Sequence, residues 1–118
     1  MTSRTFEDVE LWQLAHRWVL DIYLLTNMFP KQEMFGLTSQ LRRAAVSVPA
    51  NFAEGFAKIG LADKLRFYNI AQGSLEECRY YLILSRDLDY GDVRELRSRA
   101  EQISKMLNGY MRSVRRAK

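Results

Sequence analysis

The chain has 118 residues, 47% of them hydrophobic and 27% charged, which indicates one globular domain over residues 1–118 and excludes a disordered or fibrous protein. A single cysteine, Cys78, and a single histidine, His16, exclude an intrachain disulfide and leave too few ligands for a Cys/His zinc site. Residues 1–10 carry three acidic side chains and no apolar run, and no later apolar run is long enough to cross a bilayer. We therefore expect a cytoplasmic protein without signal peptide, membrane contact, metal or cofactor.

The first predicted helix covers residues 6–27, and Pro30 disfavours its continuation. Its apolar side chains form two stripes at helical spacing, although a surface helix of a monomeric bundle needs only one. The stripes are Val9, Trp12, His16, Val19 and Tyr23, and Leu11, Leu14, Trp18, Ile22 and Leu25. The position of His16 predicts a core or interface histidine rather than a catalytic base.

The second predicted helix covers residues 33–58 and contains a proline in its interior. Its apolar stripe continues on both sides of that proline and consists of Leu37, Leu41, Ala44, Val48, Phe52, Gly55 and Ile59. Because the periodic pattern continues, we expect Pro49 to bend the helix rather than end it. Proline has no amide hydrogen, so the carbonyl of Ala45 loses its helical donor.

The third predicted helix covers residues 61–89, with Asp63 in its first turn. Cys78 lies among its core positions, which predicts an inert buried thiol. The connections before and after this helix are short, and short connections force neighbouring helices to run antiparallel.

The fourth predicted helix covers residues 92–115, and Asp92 with Glu95 resembles a capping box at its start. Its apolar seam consists of Val93, Leu96, Ala100, Ile103, Leu107, Tyr110 and Val114. The sequence therefore predicts an all-α protein, an antiparallel up-down-up-down four-helix bundle.

A polar stripe on the second helix faces a polar stripe on the third in this hairpin. The stripes are Gln40, Arg43, Ser47, Asn51, Glu54 and Lys58, and Arg66, Asn69, Gly73, Glu76 and Glu77. The predicted pairs are Glu54 with Arg66, Ser47 with Gly73, and Arg43 with Glu76 or Glu77. Opposite charges thus meet at both ends, which predicts an interhelical hydrogen-bond network that also supplies a partner to the Ala45 carbonyl.

The alternative for this stripe is a catalytic site built on Ser47. A serine nucleophile needs a positioned base. No histidine is close in sequence, and Lys58 lies about three turns away along the helix. We therefore predict no catalytic residues and a nonenzymatic protein.

Positive charge is concentrated in the last quarter of the chain. From residue 93 onward there are eight Lys and Arg residues against two acidic ones, while the remainder is slightly acidic. This asymmetry favours a polyanionic partner such as RNA or DNA. The candidate nucleic-acid-binding residues are Arg94, Arg97, Lys105, Arg112, Arg115, Arg116 and Lys118. The alternative is a solvated helix face whose basic end complements the helix dipole.

Several stretches of the sequence resemble one protein family. The longest is Phe29-Pro30-x-x-Glu33 followed by Gly36-Leu37-x-x-Gln40-Leu41-Arg42-Arg43-Ala44-Ala45-x-Ser47-Val48-Pro49-x-Asn51-x-Ala53-Glu54-Gly55. Shorter matches are Phe6 with Trp12-Gln13-x-Ala15, and Phe67 with Ile70-Ala71-x-Gly73-Ser74-Leu75-x-Glu77. Over nearly its whole length the chain resembles the small four-helix bundle proteins called 23S rRNA intervening-sequence proteins or S23 ribosomal proteins.

The resemblance implies an assembly and a kind of partner. The family is similar to the accessory variability protein of diversity-generating retroelements, a homopentamer that binds nucleic acid and its reverse transcriptase. By that likeness we expect a bacterial, pentameric, nonenzymatic protein associated with RNA or DNA. The motif residues assigned to a structural polar network are Gln40, Arg43, Ser47, Asn51, Glu54, Arg66, Ser74 and Glu77.

Excess apolar surface independently predicts a ring-like homo-oligomer. It comes from the second stripe of the first helix and from the end of the third helix, namely Tyr80, Tyr81, Leu82, Ile83, Leu84 and Leu88. Two functions remain open at this point. One is an adapter that contacts the backbone of RNA or DNA, and the other is a scaffold for a protein partner encoded nearby.

Overall fold

The computed structural model describes residues 4–117, so the candidate Lys118 lies outside the described part of the chain. Within residues 4–117 there are four α-helices and no β-strand, which confirms the predicted all-α class. The helices are α1 (Glu10–Thr26), α2 (Leu37–Ala57), α3 (Leu61–Asp87) and α4 (Arg94–Arg116). Both α1 and α3 pack against α2 and α4, around one shared core. None of the helices in this part of the chain has the length and apolar character required to span a membrane.

The core is built largely from the predicted apolar stripes, but the predicted stripe members Tyr23 and Ile59 are exposed. The second stripe of α1 does not supply the excess apolar surface that was expected from it, because most of its members are buried in this core, namely Leu11, Trp18, Ile22 and Leu25. Its largest fully buried members include Trp18, Ile22, Leu41, Leu75, Leu82, Ile103 and Leu107. The indole N–H of Trp18 donates to the carbonyl of Leu96 at 3.1 Å, which ties α1 to α4. Cys78 is completely buried, as predicted, and burial raises the pKa of its thiol to about 12, which keeps it protonated and unreactive at neutral pH.

The start of α1 lies later than predicted. A short 3-10 helix, Phe6–Asp8, comes first, and Val9 is extended with φ −88° and ψ 124°. Thr5 and Asp8 hold this turn, because the Thr5 hydroxyl accepts from the amide of Glu7 at 3.2 Å and the Asp8 carboxylate accepts from the amide of Thr5 at 3.3 Å. These local polar bonds compete with helix and delay it until Glu10.

The start of α2 lies four residues after the predicted start at residue 33. Glu33 belongs to a 3-10 turn, and its Oε1 accepts from the amide of Leu37 at 3.1 Å. Its Oε2 accepts from the hydroxyl of Tyr90 at 2.7 Å. A Cβ on Gly36 would lie 2.9 Å from Glu33 Oε1, so a larger residue there would displace the capping carboxylate. Glu33 therefore caps the helix that it was predicted to begin.

The prediction that Pro49 would not end the second helix is confirmed. Helix α2 continues eight residues beyond Pro49 to Ala57, and the proline side chain is buried. An added Cβ on Gly55 would lie 2.7 Å from Cε1 of Tyr68, so glycine is required for α2 and α3 to approach closely at this level. The proline and the glycine thus both lie at packed surfaces of α2.

The junction between α3 and α4 differs from the predicted capping box. Helix α3 ends at Asp87, and Asp89 adopts a left-handed conformation with φ 63°. Helix α4 begins at Arg94 after Val93, whose side chain forms no cap. The Asp92 carboxylate accepts from the amide of Arg94 at 3.1 Å and also pairs with its guanidinium, so the box with Glu95 does not form.

Candidate functional site

The predicted basic residues within the described chain lie on one side of α4. We call Arg94, Arg97, Lys105, Arg112, Arg115 and Arg116 the basic face. Their spacing places them opposite the buried positions of α4, and all are exposed except the half-buried Arg97. At a rise of about 1.5 Å per residue, this face is about 33 Å long. Helix α4 carries more Lys and Arg residues than any other helix of the described chain.

The charge of the basic face is only partly neutralised within the chain. The Arg94 guanidinium contacts the Asp92 carboxylate at 2.8 and 3.1 Å, and these bonds lower the pKa of Asp92 to about 2. The other basic-face residues, Arg97, Lys105, Arg112, Arg115 and Arg116, form no ion pair with any acidic residue among 4–117. Five exposed or half-exposed cations thus remain available to an external anion.

A neighbouring arginine from α3 extends this surface. Between α3 and α4 lies a groove of about 310 Å³, lined by Arg79, Ile83, Arg94, Arg97, Ser98 and Glu101. Arg79 also pairs with Glu76 at 2.8 Å. Sequence reasoning missed Arg79 because it lies outside the basic last quarter. The contact between α3 and α4 brings Arg79 to the basic face. A charge count along the chain does not show which helices pack together, so it could not predict this.

A second polar site, the polar groove, lies between α2 and α3. Its volume is about 610 Å³, and it is lined by Phe35, Ser39, Gln40, Arg43, Ala44, Ser47, Ser74 and Glu77. The hydroxyls of Ser47 and Ser74 lie 2.8 Å apart. The side-chain amide of Asn51 donates to the Ser47 hydroxyl oxygen at 2.8 Å. Either hydroxyl can be the donor in the Ser47–Ser74 bond, because a hydroxyl oxygen that accepts one hydrogen bond can accept a second.

Tyr81 completes the polar groove and was not among the predicted network residues. Its hydroxyl contacts Gln40 Oε1 at 2.8 Å and Glu77 Oε2 at 2.6 Å. The bond to the Glu77 carboxylate raises the pKa of Tyr81 to about 12, so the phenol stays a neutral donor. The sequence did not predict this role, because the end of α3 is apolar and a tyrosine ring fits an apolar pattern. The same tyrosine can still hydrogen-bond to polar groups through its hydroxyl.

The predicted network is therefore partly correct. The structure brings Gln40, Ser47, Asn51, Ser74 and Glu77 together, and Arg43 lines the same groove. The predicted pairs of Glu54 with Arg66 and of Arg43 with Glu76 or Glu77 do not form ion pairs among residues 4–117. Instead, Arg66 lies 3.8 Å from Asp63 and over the Phe67 ring. The predicted register is also displaced, because Ser47 bonds to Ser74 rather than facing Gly73.

The predicted compensation for Pro49 is wrong. The amide of Asn51 donates to the carbonyl of Ser47 at 2.8 Å, and no side chain among residues 4–117 donates to the carbonyl of Ala45. The same geometry bears on catalysis. The Ser47 hydroxyl bonds to that of Ser74, and neither hydroxyl contacts a histidine, lysine or carboxylate among residues 4–117 that would act as its base.

Residues with metal-binding or acid–base chemistry are dispersed. His16 is exposed and stacks on Trp12, with ring centroids 5.0 Å apart. Of the two predicted roles, core or interface histidine, the core role is therefore wrong, and the interface role stays a prediction. No group of three His, Cys, Asp or Glu residues within the described chain is arranged to hold a metal ion.

The motif residues around the start of α2 have a structural role. The Arg42 guanidinium donates to Thr26 at 2.7 Å and to Asn27 at 2.9 Å, and it lies 4.5 Å from the ring centre of Tyr23. These contacts join α2 to the end of α1. Together with the Glu33 cap, these contacts show that several polar residues of the motif from Phe29 to Gly55 bond to partners within the same chain.

The described residues define a small four-helix protein with one cationic face. The model of the 23S rRNA-intervening sequence protein family matches residues 7–109, and the chain belongs to that family, as its motifs predicted. A search of the curated proteins gives no match. The fold is similar to that of a protein of unknown function from the S23 ribosomal protein family of Bacteroides thetaiotaomicron. The TM-score is 0.80 at 22% identity, over 86% of this chain and 97% of that chain.

Proposed function

We propose that this protein is a nonenzymatic adapter that binds the phosphate backbone of RNA or DNA through the basic face. The observation that carries the proposal is the set of five unpaired cations on α4. Phosphates are contacted by Lys and Arg without regard to base sequence, so we expect little sequence preference. A face about 33 Å long matches about one turn of a nucleic-acid duplex, so several phosphates are reached at once.

We further propose that the chain is an antiparallel up-down-up-down bundle and that copies of it assemble into a ring-like homo-oligomer. The resemblance to the retroelement accessory protein suggests five subunits. The contacts between α2 and α3 support the antiparallel arrangement, since Gln40 meets Tyr81 while Ser47 meets Ser74. Exposed apolar side chains support assembly. Leu20 is 52% exposed, Leu24 64% and Phe35 93%. Covering such groups stabilises an interface.

The apolar and basic surfaces belong to different elements. The large apolar side chains that are exposed lie on α1, on α2 and α3, and in the connections between helices, while α4 contributes none among residues 4–117. Of the predicted cluster at the end of α3, Tyr80 and Leu88 are exposed and Leu82 is buried. Assembly through α1 therefore leaves α4 accessible. A ring then repeats the basic face, so weak phosphate contacts add through multivalency.

A second candidate function is a protein-interaction scaffold without nucleic-acid binding. Phe35, almost fully exposed beside the polar groove, favours it, because an aromatic residue next to Arg43 is typical of interface hot spots. In this alternative a partner protein covers the groove and the basic face is only solvated.

The deciding experiment is a salt series of RNA and DNA binding. The test variant reverses Arg112, Arg115 and Arg116 to Glu. The matched control reverses Arg17, Lys31 and Arg66 to Glu, because these residues are also exposed and both variants change the net charge equally. We expect wild-type affinity to fall steeply with salt, and the test variant to lose about three units of the salt slope. The control variant should keep the wild-type slope.

Two outcomes would contradict nucleic-acid binding. One is no binding at about 50 mM salt, where phosphate contacts are strong. The other is an equal loss in both variants, which would indicate a response to net charge instead of a defined face. Either result would favour the scaffold.

A further inference from the structure

A cavity of about 520 Å³ lies at one end of the molecule, where α2 turns into α3 and where α4 ends. Its walls are Ile59, Leu61, Lys64, Tyr68, Tyr110, Val114 and Ala117. This volume lies within the range that accommodates small molecules. No basic-face residue lines the cavity, so it is separate from the surface assigned to nucleic acid.

Tyr68 gives this cavity an unpaired hydrogen-bond donor. The Tyr68 side chain is 0% exposed, and its hydroxyl is the buried side-chain group that has no hydrogen-bond partner among residues 4–117. Its ring is held by Phe52, stacked at 5.1 Å, and by the edge of Tyr110 at 5.5 Å. Buried polar groups in proteins are nearly always bonded, so an orphaned hydroxyl at a cavity wall needs an acceptor.

Lys64 supplies a further donor and the one charge that residues 4–117 contribute to the cavity wall. Its ammonium donates to the carbonyl of Phe56 at 2.8 Å and to that of Gly55 at 3.4 Å. An ammonium has three protons, so one remains for a ligand. No carboxylate of the described residues 4–117 lines the cavity, and Ile59, Leu61, Val114 and Ala117 are apolar. The wall residues thus combine apolar surface with three side-chain donors, those of Tyr68, Tyr110 and Lys64, and one positive charge.

We propose that this cavity binds a small aliphatic carboxylate. The carboxylate accepts hydrogen bonds from the Tyr68 hydroxyl and the Lys64 ammonium, which is a charge-assisted arrangement. The aliphatic chain packs against Ile59, Leu61 and Val114. Ile59 is 99% exposed, so a bound chain covers apolar surface that otherwise contacts water.

Calorimetric titration of the full-length protein with octanoate and hexanoate tests this proposal. The variant is Tyr68→Phe, which removes the donor and keeps the ring. The matched control is Tyr81→Phe, because the Tyr81 hydroxyl bonds to Gln40 and Glu77 outside the cavity. We expect one octanoate per subunit, weakened about tenfold by Tyr68→Phe and unchanged by Tyr81→Phe. Hexanoate should bind more weakly by about fourfold per methylene removed.

A second variant keeps the test decisive if Tyr68→Phe does not fold. Lys64→Met retains the apolar stem and removes the charge, so it should weaken octanoate but not octanol. Nuclear magnetic resonance shifts should map to Tyr110 and Val114 instead of the exposed Leu20 and Leu24 of α1. The proposal is overturned if octanoate does not bind. This includes the case in which a second copy of the chain covers the cavity. Equal affinity of wild type and Tyr68→Phe, or shifts confined to α1, also overturns it.

Discussion

The basic face of α4 and the polar groove between α2 and α3 use polar side chains in opposite ways. In the groove, Ser47, Ser74 and Tyr81 are bonded to partners inside the chain at 2.6–2.8 Å. On the basic face, Lys105 and Arg112 contact no acidic residue among 4–117. Groups satisfied inside the chain stabilise the fold, whereas exposed unpaired cations contribute little to it and attract an external anion.

Arg99 shows that this difference depends on the side of the helix. It belongs to the same basic last quarter of the sequence, yet its guanidinium contacts Asp21 of α1 at 2.7 Å and lies 3.6 Å from Glu95. Arg99 therefore fastens α4 to α1. Position around α4, and not total charge, separates a residue that holds the fold from one that is available to a ligand.

The largest change in the free energy of unfolding is expected from substitutions at two glycines of the α2–α3 pair. These substitutions test whether contacts inside the groove region determine stability while the basic face does not. Gly55→Ala places a Cβ 2.7 Å from the buried Tyr68 ring and should lower the free energy of unfolding by about 1–3 kcal/mol. Gly73→Ala meets no atom within 4 Å and should raise it by about 0.5–1 kcal/mol, because alanine favours helix. Urea unfolding measures both.

These variants should not alter the salt slope of nucleic-acid binding, since neither glycine belongs to the basic face. If Gly73→Ala destabilises the assembled protein, a second chain approaches that position. If Gly55→Ala leaves the free energy of unfolding unchanged, the Tyr68 ring has room to move away from the added methyl group.

A smaller effect is expected from a double-mutant cycle across the polar groove. Ser47→Ala and Ser74→Ala remove the two hydroxyls that lie 2.8 Å apart, and their coupling energy should be about 0.5–1.5 kcal/mol. The comparison cycle uses Lys105→Gln and Arg112→Gln on the basic face, where coupling should be within about 0.5 kcal/mol of zero. Equal coupling in the two cycles would remove the distinction between the regions.

Much of the fold could be predicted from the sequence because periodicity reports burial. The apolar seam of α4 up to Leu107 and the continuation of α2 through Pro49 depend on spacing alone, and both were predicted correctly. Beyond Leu107 the seam differs from the prediction, because Met111 is buried while Tyr110 and Val114 are half-buried. The helix starts were less predictable. Glu33 is acidic, as first-turn residues of helices often are. Its bond to Tyr90, 57 positions away, explains why it caps α2 instead.

The candidate site was predictable to the extent that it depends on one helix. The basic face follows from residue spacing on α4, while Arg79 and Tyr81 join their sites through packing between helices. The register of α2 on α3 was displaced because the turn between them is set by backbone conformation at Lys58 and Gly60, both extended. His16 followed an apolar pattern, yet it is exposed in the single chain.

The smallest effect concerns pH, at the bond between Glu33 and Tyr90. The Tyr90 hydroxyl and the amide of Leu37 lower the pKa of Glu33 below its ordinary 4.5, and the carboxylate raises the pKa of Tyr90 above its ordinary 10.0. A lowered carboxyl pKa contributes stability above the unfolded pKa, and that stability is lost as pH falls through the folded pKa. A raised phenol pKa contributes stability at lower pH, and it is lost as pH rises through the folded value.

Tyr90→Phe should therefore lower the unfolding temperature at neutral pH, and its difference from wild type should shrink below about pH 4.5 and again above about pH 10. Tyr80→Phe is the control, since Tyr80 is exposed and forms no side-chain hydrogen bond among residues 4–117. Thermal unfolding followed by circular dichroism across this pH range measures both. An unchanged unfolding temperature in Tyr90→Phe would mean that Tyr90 supports the start of α2 through its ring contact with Phe29, at 5.2 Å, and not through the Glu33 carboxylate.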